Sequence, residues 1–221
     1  MAMSMLQELA DSNQETSLAV TLRRKRFCHF LDLVESCPPG RLRILDVGGT
    51  ERYWETMGFA DSGHEITLLN LTEAETRHPN ILSVAGDASS MPQFDDNQFD
   101  IVFSNSVIEH LRCREKQQQM AAEVRRLAKK YLVQTPNYYF PIEPHFLFPG
   151  FHFLPVASRI WLLRHHSLGS YPRVEDYQRA RELVSEIRLI TEAELRAMFP
   201  DATILHERIY GMTKSLLAIR R

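Results

Sequence analysis

The sequence predicts an α/β fold in which a mostly parallel sheet is covered by helices on both faces. Segments with helical spacing of apolar residues alternate with short apolar segments, the pattern of a parallel sheet. Two later segments, 202–208 and 212–219, are joined by Tyr210-Gly211 and predict a terminal hairpin. The short apolar segments that predict parallel strands are 43–47, 65–70, 81–84, 99–103 and 131–134.

Composition restricts the class of protein. The chain has 221 residues, of which 44% are hydrophobic, and this suits a single domain. A formal net charge of −2 gives no reason to expect a nucleic acid partner. No apolar run reaches the ~20 residues needed to span a bilayer, and the N-terminus lacks a secretory signal pattern. The three cysteines match no zinc pattern. We therefore expect a cytoplasmic protein without a structural metal.

The N-terminal segment, residues 1–37, predicts a helix that ends at Cys-Pro-Pro-Gly, residues 37–40. We expect this helix to act as a lid over the site or as a contact in a dimer, although the sequence does not determine the oligomeric state. Its basic run, residues 23–26, is interpreted as the solvated face of the helix. A targeting or nucleic-acid patch is the alternative interpretation.

Residues 138–190 interrupt the α/β pattern. The first part is dense in aromatic residues and prolines, and Pro141, Pro144, Pro149 and Pro155 exclude a regular helix there. Helices are expected at 156–166 and 174–187. Because this insertion follows the fifth strand, it should fold over the ligand-binding edge of the sheet and cap an acceptor pocket.

The turn after the first strand is the most specific motif. Residues 45–50 read Leu-Asp-Val-Gly-Gly-Thr, and ligands of open parallel sheets bind beyond the carboxyl ends of the strands. Gly48 and Gly49 let the backbone approach a ligand closely. A dinucleotide site would have a third glycine, and Glu51 would put a negative charge near its phosphates. The turn therefore favours a cationic ligand without phosphate beside Asp46. A plain strand-to-helix turn is the alternative.

Polar side chains follow the next two strands. Asn70 ends the second strand, where a polar group is expected to bond the hydroxyls of a ribose; an amide can replace the usual acid. Asp87 follows Gly86 after the third strand and is a candidate acceptor for an adenine amino group. Each motif taken alone also fits a simple turn.

Together these motifs resemble those of the class I S-adenosylmethionine-dependent methyltransferases, in particular the type 11 small-molecule group. The resemblance covers about residues 41–136 and 191–220 and is carried by the final hairpin and three segments: Ile-Leu-Asp-Val-Gly-Gly (44–49), Gly-Asp-Ala (86–88) and Phe-Asp-Ile-Val-Phe-Ser-Asn-Ser-Val-Ile-Glu-His (99–110). It implies S-adenosylmethionine as the cofactor. It also implies a Rossmann-like, three-layer α/β/α fold with a seven-stranded, mostly parallel sheet whose C-terminal strand is antiparallel.

The resemblance further implies where the cofactor lies. The sequence departs from the family in lacking the third glycine of the first turn and the acid at the position of Asn70. Besides Asp46, the implied positions are Gly48 and Gly49 for the methionine end, Asn70 for the ribose, Asn70-Leu71 and Asp87-Ala88 for adenine, and Ser104 and Asn105 for the donor methyl.

Histidines near the same edge are candidates for handling an acceptor proton. A histidine titrates near cytosolic pH and can act as a general base. His110 follows the fourth strand, and His145 lies in the rigid tripeptide Glu143-Pro144-His145, in which Glu143 can orient the imidazole. Packing and capping roles are the alternatives. A metal held by Glu143, His145 and His152 is a weaker alternative, because no recognised ligand spacing is present.

The predicted function is methyl transfer to an oxygen of a small-molecule acceptor held under the aromatic insertion, with N- or C-methylation as alternatives. The helix at 156–166 mixes apolar and basic residues as interfacial helices do, so a lipid-linked acceptor and peripheral membrane contact are variants of this hypothesis. A nicotinamide-dependent Rossmann enzyme and a cofactor-binding module without turnover are the rival classes.

Overall fold

The computed structural model describes residues 18–221, so the predicted helical lid falls partly outside the described residues. The strands and helices lie close to their predicted positions. The strands are β1 (Arg43–Val47), β2 (Glu65–Asn70), β3 (Ile81–Ala85), β4 (Ile101–Asn105), β5 (Lys130–Pro136), β6 (Thr203–Ile209) and β7 (Met212–Arg220). The helices are α1 (Leu18–Glu35), α2 (Glu51–Thr56), α3 (Arg114–Leu127), α4 (Val156–His165), α5 (Tyr177–Ser185) and α6 (Glu192–Met198).

The seven strands form one sheet in the order β3-β2-β1-β4-β5-β7-β6. Strands β1 to β5 are paired in parallel, and β7 runs antiparallel to both β5 and β6. The strand order reverses between β1 and β4, the place where ligands bind in open α/β sheets. The prediction of a Rossmann-like, mostly parallel sheet with an antiparallel C-terminal strand is confirmed.

Hydrophobic layers cover both faces of the sheet. On one face, α1 and α2 contribute the buried rings of Phe27, Phe30 and Trp54. On the other, α3 and α6 contribute buried side chains that include Val124 and Leu195. The result is the predicted three-layer α/β/α arrangement, in which both faces of the short apolar strands are removed from water.

The insertion at 138–190 has a small core of its own. Phe146 and Phe151 stack with a ring-centroid separation of 4.2 Å and pack with residues of α4 and α5. The proline-rich part contains one 3₁₀ turn, Phe151–Phe153, and no α-helix, as the prolines predict. Thr191 caps the start of α6, and the capping box to Glu194 is the one that the Thr-x-x-Glu pattern of residues 191–194 predicts.

For the segment after β4 the sequence predicts a helix at 106–111, and here the structure differs from the prediction. The segment forms only a 3₁₀ turn, Ile108–His110. Ser106 and Arg112 adopt left-handed backbone conformations, with φ of 60° and 46°, and these interrupt helical geometry on both sides. Within residues 18–221, no helix combines the length and the apolar composition needed to cross a membrane.

Candidate active site

The glycine turn lies at the carboxyl end of β1, where the strand order reverses. Gly48 has φ +78°, and its N–H donates to the carbonyl of Leu69 over 2.7 Å. A Cβ at position 48 would lie 3.1 Å from Cγ1 of Val107 and still closer to its Cγ2. Both the left-handed conformation and the close packing therefore require glycine at this position.

Asp46 lies beneath the turn with 1% of its surface exposed. Its Oδ2 accepts a hydrogen bond of 2.8 Å from Nε1 of Trp54. Burial raises the pKa of Asp46 to about 7, although the indole hydrogen bond acts in the opposite direction. A Cβ at Gly49 would overlap the Asp46 carboxyl group, lying 2.6 Å from Oδ1 and closer still to Oδ2. The carboxyl group and the turn thus hold each other in place.

A cavity of about 260 Å³ lies in front of the turn. Its wall includes Gly48, Gly49, Asp46, Asn105 and Arg23. This combination of a cation, a carboxyl group and an amide suits a ligand that carries both a carboxylate and an ammonium group, as the methionine end of S-adenosylmethionine does. The cavity therefore fits the cofactor that the resemblance implies.

The residues expected beside the ribose and adenine lie further along the same edge. Nδ2 of Asn70 donates to the carbonyl of Gly49 over 2.9 Å, which leaves the amide oxygen for another partner. The side chain of Leu71 is 80% exposed and offers an apolar surface directly after Asn70. Asp87 is already engaged by Ser89 and Lys116, and the bonds from Ser89 lower its pKa. Ala88 is half-buried.

Ser104 and Asn105 project to different sides of β4. Ser104 is fully buried, and its hydroxyl donates to the carbonyl of Val47 over 3.2 Å. Asn105 lines the cavity in front of the glycine turn, and its Oδ1 accepts a hydrogen bond from Nη1 of Arg26. Of the two, Asn105 alone is among the lining residues of that cavity.

Arg26 corrects the interpretation of the basic run as a solvated helix face. Arg24 and Lys25 are exposed, but Arg26 is 7% exposed. Besides Asn105, Arg26 binds Oε1 of Gln134 at 2.8 Å and forms an ion pair of 3.1 Å with Glu207. The prediction is wrong at Arg26 because α1 packs across the ends of β4 and β5, where polar groups face it.

On the acceptor side, Glu143 and His145 form the expected pair. Glu143 is 2% exposed, and its Oε1 lies 2.6 Å from Nδ1 of His145. The other carboxylate oxygen accepts the backbone N–H groups of His145 and Phe146 at 2.9 and 2.7 Å. Burial tends to lower the pKa of His145, but the hydrogen bond and charge of Glu143, together with the charge of Glu109, produce a net rise.

His110 and Glu109 approach this pair from the 3₁₀ turn after β4. The rings of His110 and His145 are perpendicular, with centroids 4.9 Å apart. His110 is exposed. Desolvation by the surrounding protein and the charge of the nearby His145 nevertheless lower its pKa to about 4. Glu109 is fully buried: Thr135 donates to its Oε2 at 3.2 Å, and Oε1 has no partner among the described residues.

Sequence reasoning gave Glu109 no role, although it stands in the motif after the fourth strand. Burial raises the pKa of this carboxyl group to about 7. A strongly shifted pKa in a cleft is typical of functional residues, so Glu109 is a candidate. In the sequence, His110, His145 and Glu143 were the residues that pointed to an acceptor site at this edge of the sheet. The alternative metal set of Glu143, His145 and His152 does not converge within the described part of the chain. Instead, the ring of His152 packs on Phe153 with centroids 4.0 Å apart.

Two further cavities surround the Glu143–His145 pair. One, of about 220 Å³, is lined by His145, Glu109, Lys214 and Arg23, and the other, of about 400 Å³, lies on the Glu143 side inside the insertion. Arg23 lines both the 220 Å³ cavity and the cavity at the glycine turn. The two spaces therefore share this residue in their walls.

Known proteins share this sequence pattern and this fold. Residues 45–131 match the family model described as a methyltransferase domain. An uncharacterized protein of Mycobacterium tuberculosis, in strains H37Rv and CDC 1551, is 33% identical over 75 residues, which are 34% of this chain. The matched segment spans 25% of that relative's length.

Solved structures extend the likeness of the fold to most of the chain. A S-adenosylmethionine-dependent methyltransferase from Methanosarcina mazei has 12% identity and a TM-score of 0.52, covering 85% of this chain and 94% of that one. Magnesium protoporphyrin IX methyltransferase from Synechocystis PCC 6803, solved with bound S-adenosylmethionine, has 11% identity and a TM-score of 0.55, covering 100% of this chain and 92% of that one.

Residues 45–131 carry the sequence pattern of a methyltransferase domain. The solved structures show that most of the chain has the fold of S-adenosylmethionine-dependent methyltransferases. Both findings agree with the family and the cofactor that the resemblance implied.

Proposed function

We propose that this chain transfers the methyl group of S-adenosylmethionine to an oxygen atom of a small or lipid-linked acceptor. The observation that carries the proposal is that Arg23 lines both the cavity at the glycine turn and the cavity that holds His145. A methyl donor in the first space and an acceptor in the second would meet there. Positioning of this kind supplies a large part of the rate enhancement in bimolecular transfers.

Bound S-adenosylmethionine supplies an electrophilic methyl carbon attached to a sulfonium. The acceptor oxygen forms a bond to this carbon as the carbon–sulfur bond breaks, and the electron pair of that bond stays on sulfur. The acceptor proton needs a base within hydrogen-bond reach. In this proposal Nε2 of His145 takes it, because Glu143 holds Nδ1 and fixes the tautomer and the ring orientation.

The surface of the insertion supports an acceptor with an apolar part. Most of the large hydrophobic side chains that are exposed among residues 21–221 lie within 138–190, namely Tyr139, Phe153, Val156, Trp161 and Tyr177. Exposed apolar groups concentrated in one segment are typical of ligand or membrane contact. Membrane contact of α4 is therefore part of the proposal for a lipid-linked acceptor.

The test uses the purified full chain and S-adenosylmethionine labelled in the methyl group. The protein is incubated with the polar and the organic-soluble fractions of a cell extract, and label in each fraction is counted before and after alkaline hydrolysis. Label in organic-soluble products that depends on wild-type protein and is reduced in His145→Ala supports the proposal. The chemistry of the labelled product identifies the methylated atom.

Other outcomes contradict parts of the proposal. Label on nitrogen or carbon refutes the assignment to oxygen and favours the corresponding alternative. Binding of S-adenosylhomocysteine without transfer to any fraction favours a cofactor-binding module without turnover. Binding of NADH in place of S-adenosylhomocysteine would refute the assignment of the Gly48-Gly49 turn.

A further inference from the structure

We propose that Glu109, His110 and His145 bind a divalent transition-metal cation at the acceptor side of the site. Each of the three side chains offers one ligand atom, and these atoms all lie within 4.8 Å of one another. Ligand atoms around a single ion with bonds of ~2.0–2.2 Å lie roughly 3–4 Å apart. Small side-chain rotations, easiest for the exposed His110, would bring the three atoms to that spacing.

The unpaired oxygen of Glu109 is a second, independent observation. The residue is fully buried, and Oε1 has no hydrogen-bond partner within the described residues. A buried carboxylate oxygen without a partner costs free energy, because it has lost water and gained nothing in return. A cation at this position would satisfy the oxygen, which explains why the fold retains a carboxylate there.

The bond between Glu143 and His145 orients the imidazole as in metal sites. Histidines that bind metals through one ring nitrogen almost always donate the other N–H to a carboxylate or carbonyl group. Here Nδ1 of His145 is 2.6 Å from Oε1 of Glu143, so Nε2 is the nitrogen left for a cation. Glu143 is itself fixed by two backbone N–H groups and is 2% exposed.

The ligand types favour one class of cation. Two imidazoles with one carboxylate suit Zn²⁺, Co²⁺, Fe²⁺ or Ni²⁺, whereas Mg²⁺ and Ca²⁺ prefer oxygen ligands. Three protein ligands also leave coordination positions open, as in catalytic metal sites. Glu109 and His145 line the 220 Å³ cavity, so we expect these positions to face it.

Basic residues also line this cavity, namely Arg23, Arg26 and Lys214. The charges that act on the pKa of His145 are nevertheless those of two acids, Glu143 and Glu109. The negative charge around His145 favours a cation at this position.

A second triad in the described chain, Glu51, Glu55 and His78, also combines glutamate with histidine, but its carboxylates do not need a cation. Oε1 of Glu51 accepts the backbone N–H groups of Arg77 and His78 at 2.8 and 2.9 Å. Glu55 is paired with Arg77 at 2.7 Å. Because these carboxylates already have partners, this triad provides a matched control.

The role of the cation rests on the proposed function, whereas its binding does not. An acceptor hydroxyl bound at an open position would lose its proton to water more readily, since metal coordination lowers the pKa of a bound oxygen acid. In that case Nε2 of His145 acts as a ligand and not as the base. His145 remains essential in either role, so the two roles are separated by measuring metal binding directly.

The experiment titrates the chelator-treated full chain with Co²⁺ and follows the visible absorption of the bound ion, with calorimetry for stoichiometry. We expect one equivalent to bind with micromolar affinity. His110→Asn, His145→Asn and Glu109→Gln should each weaken binding at least tenfold. Glu143→Gln should weaken it by roughly 10–100-fold as an orienting residue. His78→Asn, the control in the second triad, should leave the affinity unchanged.

Two results would overturn the proposal. One is wild-type protein that binds Co²⁺ no better than millimolar, and the other is His145→Asn with wild-type affinity. Titration of each variant with S-adenosylhomocysteine shows whether the fold and the cofactor site are intact. Because that titration does not depend on the metal, loss of the cofactor site and absence of the metal site give different results.

Discussion

Replacement of Gly49 by alanine tests how tightly the glycine turn is held against Asp46. The new Cβ would stand 2.6 Å from Oδ1 of Asp46 and closer to Oδ2, well inside the distance that real Cβ atoms keep. Asp46 cannot retreat freely, since it is buried and its Oδ2 binds the Trp54 indole over 2.8 Å. Either the turn must lift away from the sheet or the bond to Trp54 must break.

The structure sets the size of the effect. Loss of the indole bond leaves a buried donor unpaired, which costs ~1–3 kcal/mol, and overpacking adds ~1–3 kcal/mol. We therefore expect Gly49→Ala to lower the free energy of unfolding by roughly 2–6 kcal/mol. At ~2–4 °C per kcal/mol for a chain of this size, Tm should fall by about 4–24 °C. A turn lifted into the cofactor cavity should also weaken binding of S-adenosylhomocysteine by about tenfold or more, equivalent to ~1.4 kcal/mol.

Thermal unfolding and calorimetric titration with S-adenosylhomocysteine measure the two effects. Gly63→Ala is the control, because Gly63 also has positive φ, at +77°, but a Cβ there would meet nothing within 4 Å. It should cost only the ~1–2 kcal/mol of a left-handed alanine and leave ligand affinity unchanged. A Gly49→Ala protein with wild-type Tm and affinity would refute the described contact between the turn and Asp46.

Three other substitutions test separate parts of the site. Asp46→Asn keeps a hydrogen-bond acceptor for the Trp54 indole but removes the titratable carboxyl group. The folded-state pKa of about 7 lies above the unfolded value, so Asp46 protonation stabilises the fold at low pH and this contribution falls as pH rises towards 7. Urea unfolding should show the wild type losing roughly 3 kcal/mol more than the variant between pH 5 and 8; parallel pH profiles would contradict this. His145→Ala should slow turnover by roughly 10²–10⁴-fold with little change in S-adenosylhomocysteine affinity, whereas unchanged turnover would remove His145 from the acceptor site. Arg26→Met should cost ~3–5 kcal/mol in chemical unfolding by leaving Glu207 buried and unpaired, and adding Glu207→Gln should recover part of it; an additive loss would argue against the pair.

Much of the fold was predictable because its signals are local. The apolar runs of β1, β2 and β4 are buried on both faces of the sheet, and such strands have a composition that can be recognised without knowing their neighbours. The turn at Gly48-Gly49 was predictable for the same reason, since its backbone requirement belongs to two consecutive residues. The capping box from Thr191 to Glu194 spans a single helical turn.

The sequence by itself thus determined the sheet and the position of the glycine turn. Only the tertiary structure decided which polar side chains are buried and which of them meet. Arg26 is separated from Glu207 by most of the chain, and Glu109 from His145 by a strand and a helix, yet the first two residues line one cavity and the second two line another. Burial and pKa depend on everything packed around a group, and that surrounding set exists only once distant segments have come together.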